Sequence, residues 1–300
     1  MSSDGPLQPH EEYLAVAGAR LFVRQTGRGL PLLVVHGGPD FDHAYLLPEL
    51  DHLATVFRLI CYDQRGRGRS SAGVSAEDVT LDSEIDDLDA VRRHLAVETV
   101  AILGHSWGCL LALEYTARHA HRVSHLILLN PAPASHADLM HFRAARASDD
   151  AEDGMRMQAI AASQAYASGD IATEAEYYRI HFRHAFGRVN ALECIVSRLR
   201  MHFTPDDVVK ARVIEERLYA QTWRRPDYDV VPALRDVHVP TLVVHGDRDL
   251  VPVACARRIA EAIPAARFES LEDCGHFSYL ERPHDVRRAI EALVAQTGDR

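Results

Sequence analysis

No apolar run in this chain approaches the roughly 18–20 residues that a membrane-spanning helix needs. The opening stretch, MSSDGPLQPHEEY, holds neither a basic start nor an apolar segment, so no secretory signal is read in it. No basic run interrupts a net charge of -10, which argues against a nucleic-acid surface. The five cysteines, at 61, 109, 194, 255 and 274, show no CxxC spacing, and an odd, scattered set argues against a disulfide framework. Small buried thiols are expected instead. The 18 histidines contain no HExxH pairing, so neither a metal site nor a cofactor is expected. Together these absences predict a cytoplasmic protein with no membrane, nucleic-acid or metal partner.

What is present is an ordinary globular balance: 300 residues, 47% hydrophobic and 25% charged, enough for a large core. EEYLAVAGARLFVRQ (11–25) alternates and turns at Gly18, the pattern of a hairpin. PLLVV, FRLICY, TVAILG and VSHLILL read as short buried strands, β-branched and apolar as expected when both faces of a parallel sheet are covered. Between them, 82–96 has helical spacing at Ile85, Leu88, Val91 and Leu95, with Asp82 or Ser83 as its N-cap. Ser106 to about Arg118 reads as a second helix. From about Ser135 to Val230 no strand pattern appears, and pieces such as TEAEYYRIHFRHAF are helical. A strand returns at 241–245, followed by a helix over 253–263, a strand near ARFESL and a helix over 284–295. The predicted architecture is a mostly parallel α/β sheet flanked by helices, with core segments 1–133 and 233–300 and a helical cap over 134–232.

In open α/β sheets ligands gather beyond the carboxyl ends of the strands. Those ends carry His36-Gly37-Gly38-Pro39-Asp40, Asp63-Gln64-Arg65-Gly66, Gly104-His105-Ser106-Trp107-Gly108, Gly246-Asp247-Arg248-Asp249 and Asp273-Cys274-Gly275-His276. A serine between two glycines, where a strand meets a helix, is a signature of a strained turn that exposes a hydroxyl. Serine is a poor nucleophile until a base takes its proton, and His276 can serve. An aspartate on the other ring nitrogen would hold the tautomer. The first amides of the helix after Ser106 are unpaired, so the Trp107 N–H can face an oxyanion, with Gly38 N–H as a second donor.

HGGPD, DQRGRGRS, GHSWG and the Ser…Asp…His order together resemble the α/β-hydrolase superfamily over nearly the whole chain, and its proline iminopeptidase branch most. The resemblance implies Ser106 as nucleophile, His276 as base, Asp249 rather than Asp247 as the acid, and Gly38 and Trp107 as oxyanion donors. Gly37, His105 and Leu250 are expected to line the substrate's path. Two departures stand out: Asp40 occupies the last position of a loop that the branch writes HGGPG, and Leu250 follows the acid where some members carry a carboxylate. The implied activity is that of a serine hydrolase that cleaves a small amide, a short peptide or an ester through an acyl-enzyme, with removal of an N-terminal proline as its specific form. A carboxylesterase, amidase or carbon–carbon bond hydrolase, and a catalytically silent binding protein on the same scaffold, are the alternatives.

Overall fold

A computed structural model describes residues 8–147, 151–188 and 191–298. Two strands open the chain, β1 (His10–Val16) and β2 (Ala19–Gly27), joined at Gly18, whose φ of +75° suits a residue without Cβ. β3 (Leu30–Val35) and β4 (Phe57–Tyr62) follow, then α1 (Leu81–His94), β5 (Val100–His105), α2 (Trp107–His119) and β6 (Val123–Leu129). Six helices come next: α3 (His136–Ala147), α4 (Ala151–Ala161), α5 (Gln164–Ala167), α6 (Ile171–His181), α7 (Leu192–Val196) and α8 (Pro205–Gln221). The chain then returns to the sheet with β7 (Thr241–Gly246), α9 (Val253–Ala262), β8 (Ala266–Leu271), α10 (Ser278–Glu281) and α11 (Pro283–Gly298).

The eight strands form one sheet in the order β1-β2-β4-β3-β5-β6-β7-β8. β1, β2 and β4 pair antiparallel, and every pairing from β4 through β8 is parallel. Alternate residues of each central strand feed two apolar layers, as the period of two requires. Ile60, Ile102, Leu128 and Val243 pack with Ile85, Leu88, Leu110 and Ile259 of α1, α2 and α9. Leu59, Leu103, Ile127 and Val244 pack on the other face with Val286, Ile290 and Leu293 of α11. The helices between β6 and β7 join both layers, Leu218 and Trp223 in the first and Tyr178, Phe182 and Leu199 in the second.

Local sequence placed the elements closely but missed one cap. The N-cap of α1 is Thr80, not Asp82 or Ser83: its side chain accepts from the Ser83 N–H while the Ser83 hydroxyl accepts from the Thr80 N–H. This capping box starts the helix one residue before the first acid expected to cap it. α2 likewise begins at Trp107, because Ser106 has a left-handed φ of +54° that no helix accommodates.

Candidate active site

The turn from β5 into α2 explains the two glycines around Ser106. A Cβ at Gly104 would lie 2.6 Å from the Gly108 carbonyl oxygen, and a Cβ at Gly108 would lie 2.0 Å from that of Val35. Backbone therefore crosses backbone on both sides of the serine, which is held at φ +54° and ψ −119°. A non-glycine residue persists there only when its surroundings force it. Ser106 N–H donates to the Leu129 carbonyl, and the Ser106 carbonyl accepts from Cys109 and Ala132. The side chain stands at the carboxyl edge of the sheet, partly open to solvent.

Ser106 Oγ lies 3.0 Å from His276 Nε2, and His276 Nδ1 lies 2.9 Å from Asp249 Oδ1. Three residues far apart in the chain thus form one continuous hydrogen-bonded line. The carboxylate that reaches His276 is that of Asp249: Asp247 instead accepts from the Cys274 N–H, and Asp273 pairs with Arg188 at the surface. Burial pushes the Asp249 carboxyl up, but His276, His245 and hydrogen bonds outweigh it and hold the group well below the usual carboxylate range. Val251 N–H and Asn130 Nδ2 each donate to it at 2.8 Å. Asn130, the last residue before Pro131, also donates to the Gly275 carbonyl at 2.9 Å and accepts from the Ser278 N–H. It fixes the acid and the loop of His276 together. Sequence reasoning passed over it, although it ends a strand as the other polar residues here do.

The loop after β3 brings Gly37 and Gly38 to the same edge. A Cβ at Gly37 would approach the Cβ of Ser106 to 3.1 Å, so glycine lets the loop close on the serine. The Gly37 N–H is already spent, donating to Tyr45 Oη at 2.8 Å. No described residue accepts from the N–H of Gly38, which has φ +121°, and the Trp107 N–H lies in the first turn of α2 where no helical acceptor exists. These two donors are the ones available to a charge developing near Ser106. His36 braces the loop, its Nδ1–H donating to the Gly37 carbonyl and its Nε2 accepting from Gln64 N–H.

His105, expected on the substrate's path, lies elsewhere. It is fully buried, and both ring nitrogens are engaged: Nδ1 accepts from Tyr45 Oη at 2.7 Å, and Nε2–H donates to the His276 carbonyl at 2.9 Å. Burial, helped by His276, lowers its pKa to about 3, so it is the neutral ring this pattern requires. It leaves no polar atom for a substrate and instead ties the glycine loop to the backbone of His276. Tyr45, the link in that tie, carries no motif.

Above the site α3, α4, α6 and α8 enclose a cavity of about 1100 Å³, bordered by Asp249 and Leu250 below and by Tyr177, His181, Glu215, Tyr219 and Trp223 above. The Trp107 ring packs 5.2 Å from Trp223 and 6.0 Å from Tyr219. Tyr219 Oη donates to Glu215 at 2.6 Å. Burial, with Asp40 nearby, raises the Glu215 pKa to about 8. The other acids of the cap are differently placed. Glu174 is buried between Arg200 and Arg212, Glu193 pairs with Arg179 and Glu216 with Arg224 on the surface, and Glu176 is exposed. Asp40, at the end of the glycine loop, is fully buried and receives Arg200 and Tyr178 Oη. Among the described residues no group of three or more His, Cys, Asp or Glu is placed to hold a metal ion, and no helix is long and apolar enough to cross a membrane.

A family model described as the alpha/beta hydrolase fold matches residues 31–283. A proline iminopeptidase of Lactobacillus helveticus (strain DPC 4571) is 29% identical over 307 residues, covering 97% of this chain and 96% of its own. Among solved structures, the proline iminopeptidase of Mycobacterium smegmatis superposes with a TM-score of 0.71 at 24% identity, covering 96% of this chain and 98% of its own. VinJ superposes with a TM-score of 0.76 at 22% identity, covering 97% and 99%. These two likenesses are of fold.

Proposed function

The chain belongs to the α/β-hydrolase fold family, resembles its proline iminopeptidase branch and is a hydrolase, and from that premise we propose that it is a serine hydrolase that releases an N-terminal amino acid, proline foremost, from a small amide or short peptide through an acyl-enzyme. The observation that carries this reading is the line Ser106 Oγ, His276, Asp249, at 3.0 and 2.9 Å, below a cavity that holds a carboxyl group.

In this mechanism Ser106 Oγ attacks the substrate carbonyl carbon while His276 Nε2 takes its proton. Asp249, an anion throughout, stabilises the imidazolium. The oxyanion receives the N–H groups of Gly38 and Trp107, and removal of one such donor costs about 3 kcal/mol of transition-state stabilisation in comparable sites. The C–N bond breaks as His276 returns the proton to the leaving amine. Water then enters, gives a proton to His276 and attacks the acyl carbon; the bond to Ser106 Oγ breaks as His276 passes that proton to Oγ, releasing the acid and restoring the serine.

An aminopeptidase must also receive a free ammonium. Glu215 fits that role: it faces the cavity, its hydroxyl partner Tyr219 reaches Trp107, and no described residue forms an ion pair with it, although Arg200 acts on it from a distance. A bound ammonium supplies that missing charge and converts the group to carboxylate. Leu250 and Trp223 provide apolar wall for a prolyl ring. Five free cysteines, four of them buried, agree with the cytoplasmic setting this reading assumes.

Two measurements test it. A fluorophosphonate probe is expected to label the wild type and not Ser106→Ala. Proline naphthylamide is expected to turn over while the N-acetylated compound does not. Equal rates on free and acetylated substrates would remove the aminopeptidase assignment and favour an esterase or amidase; absence of labelling at Ser106 would remove the hydrolytic mechanism itself.

A further inference from the structure

The loop that carries Gly38 is anchored before and after that residue, and the two anchors differ in origin. Before it, the carbonyl of Gly37 accepts from His36 Nδ1–H and the N–H of Gly37 donates to Tyr45 Oη. After it, Pro39 has no N–H to give, and Gly38 itself has no side chain. The first residue that can hold the loop from this side is Asp40. It lies directly on the glycine: a Cβ at Gly38 would stand 2.4 Å from Asp40 N and 3.3 Å from Asp40 Oδ1.

Asp40 is held by the cap. Arg200, between α7 and α8, donates from Nη1 to the Asp40 carbonyl at 2.5 Å and from Nη2 to its carboxylate. Tyr178 of α6 donates its hydroxyl to the same carboxylate oxygen at 2.7 Å. One guanidinium thus grips both the backbone and the side chain of a single residue, which sets the direction of the chain as well as its place. Glu174, also on α6, accepts from Arg200 Nη2 at 3.0 Å and ties the guanidinium to the helix of Tyr178. All four residues are buried.

A glycine at position 40 would offer Arg200 a carbonyl and nothing more, and Tyr178 no acceptor. Buried ions add little net stability over apolar packing of the same volume, so what this set contributes is a defined geometry. The helix that supplies Tyr178 and Glu174 also lends Tyr177 and His181 to the cavity wall. One element therefore borders the cavity and holds the glycine loop.

We propose that Asp40 is a positioning residue of the reaction: through it Arg200 and Tyr178 hold the chain at Gly38 so that its N–H meets the oxyanion, and the cap thereby sets kcat as well as binding. The inference rests on the serine-hydrolase reading above, in which Gly38 is an oxyanion donor.

The test measures kcat and KM for proline naphthylamide, and the rate of fluorophosphonate labelling at Ser106, in the wild type, Asp40→Asn and Tyr178→Phe. Tyr178→Phe removes one hydroxyl and keeps the ring, so it serves even if loss of the Asp40 charge prevents folding. Asp40→Asn is expected to lower kcat about tenfold and Tyr178→Phe about threefold, with KM within about twofold of the wild type. These are fractions of the roughly 10²–10³ that outright loss of an oxyanion donor costs. Labelling is expected to slow by the same factors, because the phosphoryl oxygen of the probe meets the same donors with no amine bound. A purely structural role would lower the thermal midpoint and leave both rates unchanged well below it. Unchanged kcat in the folded variants, a rise in KM alone, or labelling as fast as in the wild type overturns the proposal. Equal turnover of free and N-acetylated substrates removes the aminopeptidase reading and leaves the labelling comparison to decide. A wild type that does not label at Ser106 removes the hydrolytic mechanism, and this inference with it.

Discussion

Around this site, the polar groups that brace the triad and those that tie the cap to the core are held by different means. On the sheet side the groups around the triad are largely neutral, and each has a neutral partner or a backbone one: His36 with Gly37 and Gln64, His105 with Tyr45 and His276, Asn130 with Gly275 and Ser278. On the cap side the contacts are ionic. Asp40 meets Arg200, which also meets Glu174; Arg212 adds to Glu174, and Arg198 pairs with Glu49. Neutral hydrogen bonds fix direction at modest cost, since their groups are cheap to bury once paired. Buried ions are costly to bury and tolerable only as complete sets. The sheet side is therefore suited to holding a reacting geometry, and the cap side to being redrawn as a unit when substrate changes.

The sharpest break in that comparison is at the triad. Ser106→Ala and His276→Ala are each expected to lower kcat/KM by about 10⁴ or more; Ser106→Ala leaves thermal unfolding unchanged, because it removes one hydroxyl and leaves the packing intact, whereas His276→Ala also takes the partner of the buried Asp249 carboxylate. Substantial residual turnover in Ser106→Ala would place the chemistry elsewhere.

The next effect falls on stability and comes from the cap. Arg200→Leu strands Asp40 in the interior and leaves Glu174 with Arg212 alone, and is expected to destabilise the fold by about 3–5 kcal/mol in urea unfolding. Adding Asp40→Asn and Glu174→Gln is expected to recover much of the loss. A variant as stable as the wild type would mean that the cap does not depend on this ion set.

On the sheet side the corresponding weakness is to acid. Burial lowers the pKa of both His36 and His105 to about 3, against about 6.5 in an unfolded chain. Between those values the unfolded chain binds protons that the native rings refuse, so stability falls as pH falls, by about 1.4 kcal/mol per pH unit per ring. From pH 7 to pH 5 the two together are expected to cost about 4 kcal/mol. Chemical unfolding across that range checks the slope, and a flat profile would show that these rings are not held neutral.

The smallest effect separates selection from chemistry. Glu215→Gln is expected to raise KM for proline amides about tenfold, or about 1.4 kcal/mol, while kcat changes little. A fall in kcat with KM unchanged would give Glu215 a part in the reaction and erase the difference between it and the groups that brace the triad.

Much of this was legible in the amino-acid order, and what was not has a common cause. The buried strands, the helices that flank them and the strained elbow follow from period, β-branching and glycine placement, which act over a few residues. The serine, the acid and the histidine were visible because each ends a strand, and strand ends of a parallel sheet converge on one edge. Among the acids of the cap, composition could not single out Glu215, since nothing local distinguishes it from Glu216 beside it. Asp40 was visible as a departure from a loop pattern, but its partner Arg200 lies 160 residues away with nothing local to announce it. Nor does any local signal show that both nitrogens of His105 are already bonded, through Tyr45 and the His276 backbone.

The amino-acid sequence by itself therefore determined the sheet, its helices and which serine, histidine and aspartate end at one edge of it, since burial period and turn strain are written into neighbouring residues. Only the tertiary structure decided which charges cancel, which donors are left free for an oxyanion, and which carboxyl group faces the cavity. Electrostatic pairing depends on distances across the folded interior, and residues equally charged in the chain differ there by what surrounds them.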